Sequence, residues 1–209
     1  KGQCDLPLPN YVGVNGEVLK NMYLSGGYPQ QDLIEVESLR YLYLSNFSVH
    51  QAKRGGDISK RKTVLVAGDY LKENTYKQLN LLSSALADID QSVRYIIKPH
   101  PACPVNMLDF PSLRGELSTR PIEEPLAMSD VVYSSLITSA AIDAYCAGLP
   151  VIIFIDGSTL NMSPFRGSKS VYFVKNSEDL SSAINTIKVT DLDQRKHYFY
   201  LDSDLPRWH

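Results

Sequence analysis

Over most of this chain the apolar residues come in short runs, interrupted only by residues such as Arg94, and do not alternate with polar ones. The runs lie at 63–67, 93–97, 131–133, 151–155 and 171–174. Runs of this length predict strands buried on both faces, as in a parallel sheet. Between them the spacing changes. Leu79, Leu81, Leu82 and Leu86 fall near helical spacing within an amphipathic stretch at 74–86. A short helix is expected at 124–128, another at 140–147 stopped by Gly148, and a last one from Ser177 with Asp179 in its first turn. The alternation predicts an α/β fold: a Rossmann-like parallel sheet with helices on both faces.

The first 62 residues follow a looser pattern. A strand end is expected at 10–14, a helix from Glu17 to about Ser25 closed by Gly26 and Gly27, and a short strand at 33–36. A stretch rich in Leu and Tyr follows at 39–44. The segment 50–62 carries Lys53, Arg54, Lys60, Arg61 and Lys62 around Gly55 and Gly56. It reads as a solvated linker, with contact to an anionic membrane surface or a charged acceptor as the alternative.

Composition narrows the class of protein. The chain has 209 residues, 44% of them hydrophobic and 21% charged, with a formal net charge of −2. No global basic field speaks for nucleic acid. The cysteines are Cys4, Cys103 and Cys146, three at wide spacing. They fit neither a disulfide framework nor a zinc site and are expected of a reducing compartment. No apolar run is long enough to span a bilayer. No signal peptide is apparent, and a chain starting at Lys1 reads as a fragment.

Two runs end abruptly in polar residues. Ile96-Ile97 runs into Lys98-Pro99-His100-Pro101, and Tyr133 into Ser134, Ser135, Leu136, Ile137, Thr138 and Ser139. In an open parallel sheet, ligands bind at the carboxyl ends of strands, where helix N-termini favour anions. Lys, His and paired serines at two such ends predict a phosphate site. His100, restricted by prolines on both sides, is either a structural histidine, as solitary ones usually are, or the catalytic candidate, as a donor to phosphate or an acid for its departure. Lys98 is either a phosphate partner or a charge snorkelling at the sheet edge. Ser134, Ser135 and Thr138 either cap the next helix or hold phosphate, and one set of free N–H groups serves both. A Walker loop is missing, so a simple nucleoside-triphosphatase is excluded. Glu123 and Glu124 stabilise a helix start or accept from ribose hydroxyls. Gly68-Asp69, and likewise Asp156-Gly157, read as ordinary turns or as ligand-facing ones. Nothing requires a protein-bound metal or another cofactor.

The ordered combination of Lys-Pro-His-Pro, then Pro-Leu-Ala-Met-Ser-Asp-Val-Val-Tyr-Ser-Ser, then Ala-Gly-Leu-Pro-Val-Ile resembles the C-terminal, nucleotide-binding half of GT-B glycosyltransferases. His-Pro with Ser-Ser is similar to the motif pair of bacterial sialyltransferases and Kdo transferases, which use CMP-linked sugars. The layout also resembles CDP-glycerol glycerophosphotransferases. The stretches beginning at Tyr11 and Gly27 resemble the passage leading out of the N-terminal half, and the one beginning at Tyr198 resembles the C-terminal tail.

The resemblance implies that His100, Ser134 and Ser135 contact the donor phosphate; Lys98, Pro101, Thr138, Glu124 and Gly68 are the further donor-site candidates. It implies three parts: the end of an N-terminal half with a linker at 1–62, the donor-binding domain at 63–190, and a tail at 191–209. The expected function is binding a nucleotide-sugar, CMP-linked, for a glycosyltransferase of bacterial surface-polysaccharide synthesis. Polyol-phosphate transfer from a CDP-linked donor and a non-catalytic Rossmann-like binding module are the alternatives. The glycan or lipid-linked acceptor would meet the missing half, so the isolated chain is expected to be inactive. The expected location is the cytoplasm, with peripheral contact at the inner membrane.

Overall fold

The structure, a computed structural model, describes residues 9–47, 61–136, 138–158, 160–166, 168, 171–187 and 198–209. They fall into two compact units. The first joins Lys1–Phe47 to Leu192–His209, and the second is Ser48–Asp191. The basic segment at 50–62 lies outside the described residues except for Arg61 and Lys62.

In the first unit, β1 (Val12–Val14) and β2 (Leu33–Glu35) pair in parallel, with Val12 opposite Leu33. The helix α1 (Glu17–Ser25) connects them. It stops where Gly27 takes a φ of +84°, a conformation that costs glycine nothing, and Gly26 N–H closes on Met22 O at 3.0 Å. The Leu- and Tyr-rich stretch forms a 3-10 helix, Leu39–Asn46. The segment read from sequence as a separate tail is part of this unit. Tyr200 N–H donates to Asn15 O at 2.9 Å and Tyr200 O accepts from Ser38 N–H at 2.9 Å. Tyr41 stacks on Phe199 with ring centroids 4.3 Å apart.

The second unit is the Rossmann-like fold. Its strands are β3 (Thr63–Ala67), β4 (Arg94–Lys98), β5 (Gly115–Leu117), β6 (Val131–Ser134), β7 (Val151–Phe154) and β8 (Val171–Val174). All five pairings are parallel, in the order β5-β4-β3-β6-β7-β8. The helices are α2 (Lys72–Ala85), α3 (Glu123–Met128), α4 (Ser139–Cys146) and α5 (Ser177–Thr186). Val64, Val66, Ile97, Tyr133 and Ile152 share one core with Leu79 and Leu82 of α2 and Leu180 and Ile184 of α5. Leu65, Val132 and Ile153 alternate with them and are equally buried, which is why these strands read as continuous apolar runs. Lys62, from the basic run, closes the C-terminus of α5 by donating to Ile184 O at 2.6 Å. Burial there lowers its pKa.

The order has one decisive feature. The first strand of the unit, β3, lies between β4 and β6, so the chain crosses outward in one direction and then in the other. The crevice between the carboxyl ends of β3 and β6 is therefore the topological switch point, where open α/β sheets bind ligands.

Candidate functional site

Three strands end level with one another. Ala67 is registered against Lys98 on one side and Ser134 on the other. The residues that follow, Gly68, Pro99 and Ser135, thus lie along one sheet edge, and the His-Pro and Ser-Ser segments leave the sheet on either side of Gly68-Asp69. Gly68 N–H donates to Lys98 O at 2.9 Å. A Cβ on Gly68 would stand 3.3 Å from His100 N and 3.4 Å from Pro99 Cα, tighter than side chains ordinarily tolerate. Glycine here lets the two strand ends close on each other.

His100 is held in a tight turn. Its carbonyl accepts from Cys103 N–H at 2.8 Å, and its Nδ1 accepts from Ala102 N–H at 3.1 Å. That acceptor role assigns the imidazole proton to Nε2, which makes Nε2–H the donor available to a ligand. The ring meets Tyr70 edge-on, with centroids 5.6 Å apart. Lys98 is half-buried at the strand end and Pro101 is exposed in the turn.

Asp69 is the buried centre of the edge. Its carboxylate accepts from Ser135 Oγ, from Leu71 N–H at 2.8 Å and from Asn74 Nδ2 at 3.2 Å. The Leu71 bond forms an Asx turn that displays Tyr70 at its apex. Ser134 Oγ donates to Ser135 O at 3.1 Å and lies 2.6 Å from Thr138 Oγ1. With Ser134 and Ser135 only 0% and 1% exposed, both hydroxyls face inward and shape the turn. Thr138 occupies the N-cap position of α4 without a side-chain capping bond. The start of α4 beside this turn is a helix N-terminus, where main-chain N–H groups and the helix dipole favour an anion.

Beneath these residues, Gln78 of α2 is fully buried. Its amide donates to Ala67 O at 3.3 Å and Tyr133 O at 3.1 Å, while Tyr133 Oη donates to Gln78 O at 3.3 Å. One side chain thus ties the ends of β3 and β6 to α2. The signal for it in the sequence is a glutamine among the apolar positions of 74–86.

A cleft of about 490 Å³ opens between α2, the turn after β6 and the segment after β7. Ser135 and Leu136 form one wall, Leu71 and Lys77 another, and Asp156 and Met162 a third. Lys77 Nζ lies 2.7 Å from Glu73 and 2.7 Å from Asp156. The hydrogen bond from Lys77, with that from Ser158 N–H, holds the Asp156 carboxyl at about 2, and the bond to Asp156 raises the Lys77 pKa well above its ordinary value.

Gly68, Lys98, His100, Pro101, Ser134, Ser135 and Thr138 therefore share the carboxyl edge. Glu124 stands on the first turn of α3, exposed, and pairs with Arg120 at 3.0 Å. Among the described residues no set of His, Cys, Asp and Glu could together hold a metal ion, and no helix is long and apolar enough to cross a membrane.

No protein-family profile matches the chain, and no curated protein matches it. Solved structures do. The UDP-GlcNAc 2-epimerase of Methanocaldococcus jannaschii, in complex with UDP-GlcNAc and UDP, aligns over 91% of this chain and 57% of its own, at 14% identity and a TM-score of 0.57. The Neisseria meningitidis UDP-GlcNAc 2-epimerase bound to UDP-GlcNAc aligns over 86% and 56%, at 15% identity and a TM-score of 0.55. A glycotransferase of kitacinnamycin aligns over 90% and 49%, at 12% identity and a TM-score of 0.57. The likeness is one of fold, a Rossmann-like parallel sheet with helices. This chain spans only about half the length of each.

Proposed function

We propose that this chain is the nucleotide-sugar donor-binding part of a glycosyltransferase. The observation that carries the reading is the meeting of Gly68-Asp69, His100 and the N-terminus of α4 at the switch point of one parallel sheet. The donor phosphate takes the main-chain N–H groups at the start of α4, with Ser134, Ser135 and Thr138 setting the turn. His100 Nε2–H donates to the same phosphate, with Lys98 as the nearby positive charge and Gly68 and Pro101 lining the approach. Glu124 is the candidate partner of the ribose hydroxyls.

The chemistry follows from charge. When the sugar leaves the nucleotide, negative charge grows on the phosphate, and donors already fixed there act most strongly in the transition state. His100 is oriented by the Ala102 N–H. The first unit, with its two-stranded parallel pair, fits the end of an acceptor-binding half, which would supply the glycan or lipid-linked acceptor and the remaining catalytic group. A role in surface-polysaccharide synthesis, in the cytoplasm at the inner membrane, is the biological setting this reading suggests.

The nucleotide has two readings. His-Pro with Ser-Ser favours cytidine, by resemblance. The solved structures of like fold carry UDP and UDP-GlcNAc, which favours uridine. Calorimetry of the chain with CMP, CDP, UDP and GDP tests the proposal and chooses between them. Binding of one nucleotide, lost when excess inorganic pyrophosphate occupies the phosphate site, is the expected result. Failure of all four to bind overturns it.

A further inference from the structure

We infer that the group carried by the donor is an uncharged sugar, and that the cleft beside Ser135 receives it and disfavours an anionic one. This rests on the nucleotide-sugar reading and deepens it. Ser135 lines the cleft and stands four positions before Ser139, the first residue of α4, where the phosphate is placed. A group esterified to that phosphate extends from the α4 terminus into this space. At about 490 Å³ the cleft is of a size that takes a small-molecule moiety.

Its walls suit a neutral polyol. Leu136, Phe154 and Met162 offer apolar surface to the C–H face of a sugar ring, and Asn74 and Ser158 offer polar groups to its hydroxyls. The charged residues that line it, among those described, are Glu73, Lys77 and Asp156. Lys77 is spent, held between the two carboxylates at 2.7 Å from each. The trio carries a net single negative charge, and the buried Asp69 carboxylate behind Ser135 adds to it. The N-terminus of α2 borders the cleft, but Glu73 in its first turn offsets that positive end. Among the described residues that line the cleft, a sugar carboxylate or a polyol phosphate would meet no cation outside that trio. The acidic CMP-linked sugars and CDP-linked polyols suggested by motif resemblance are therefore the disfavoured donors, and a neutral hexosyl group is the favoured one.

The test is calorimetry of the whole chain with UDP, UDP-glucose, UDP-glucuronate, CMP and CMP-N-acetylneuraminate. UDP-glucose is expected to bind about tenfold more tightly than UDP-glucuronate, the size of a like-charge contact across a half-exposed cleft. CMP-N-acetylneuraminate is expected to bind no more tightly than CMP. Asp156→Asn keeps an oxygen for Ser158 N–H and removes one negative charge, so it should narrow the UDP-glucose to UDP-glucuronate gap severalfold. Glu73→Gln, at an exposed helix position, should do the same and guards against a folding defect at Asp156. Equal or tighter binding of UDP-glucuronate, or a clear gain from the acidic sugar on CMP, overturns the inference while leaving nucleotide binding intact. No binding of bare UDP or CMP, nor of CDP or GDP, removes the functional reading itself, and the inference with it.

Discussion

Ser135 donates its hydroxyl to the carboxylate of Asp69 across the crevice between β6 and β3, although 66 positions separate them in the chain. The bond closes the switch point from within. It occupies the side chain of Ser135, and so leaves ligand binding at this turn to the main chain and the helix N-terminus. It also places a negative charge behind the proposed phosphate site, which makes the geometry of the turn matter more than its hydroxyls.

Ser135→Ala should lower stability by about 1 kcal/mol, because Asp69 keeps Leu71 N–H and Asn74 as donors. Asp69→Ala should cost about 1–3 kcal/mol, since it strands the buried Ser135 hydroxyl and also removes the acceptor of the Leu71 N–H. Urea midpoints of the two variants check the order. Equal losses would show that the network is not centred on Asp69.

His100→Ala should weaken UDP or CMP binding about tenfold, the worth of a donor to a charged phosphate. Binding of the free nucleoside should not change. In a glycosyltransferase that contains this domain and its acceptor side, turnover should fall more than donor affinity. Unchanged nucleotide affinity and turnover with the fold intact would remove His100 from the site.

Acid should expose the Lys77–Asp156 pair. The Asp156 carboxyl is held at about 2, below its ordinary 3.8, so its ion pair favours the fold above that ordinary value. The contribution is lost as pH falls from about 4 through 2, as the carboxylate takes up its proton. Asp156→Asn should therefore show a shallower fall in melting temperature across that window than the unaltered chain. Parallel curves would show that the pair contributes nothing to stability.

Gly16→Ala should dislodge the C-terminal segment of the first unit. A Cβ at Gly16 would collide with Tyr198 O and lie 2.8 Å from Tyr198 C, so main chain must move. Such overpacking costs about 1–3 kcal/mol. Trp208, the only tryptophan, donates its indole N–H to Glu37 O at 3.4 Å and reports the change. A red-shifted emission and faster proteolysis of the tail are expected, and an unaltered spectrum would refute the clash.

The parallel sheet was legible in the chain because strands such as β3, Thr63–Ala67, are buried on both faces and so carry no polar alternation. The helices were legible too, within two residues: the stretch read at 74–86 is Lys72–Ala85, and 140–147 is Ser139–Cys146. The edge strand β5, Gly115–Leu117, was not, because one half-buried and two exposed residues pairing on one side need no apolar pattern. The His-Pro and Ser-Ser segments were visible as strand ends because apolar runs stop there at polar groups.

Local chemistry along the chain thus determined which segments are strands and helices and which ends carry polar groups. Tertiary structure alone decided that β3 lies between β4 and β6, that Asp69 takes the hydroxyl of Ser135, and that Gln78 ties their strands together. It also decided that Asp156 neutralises Lys77 and that the closing residues pack with the opening ones. Secondary structure follows from spacing between near neighbours, which a sequence displays. Strand order and long-range hydrogen bonds follow from which buried faces fit together, and no short window of residues contains that information.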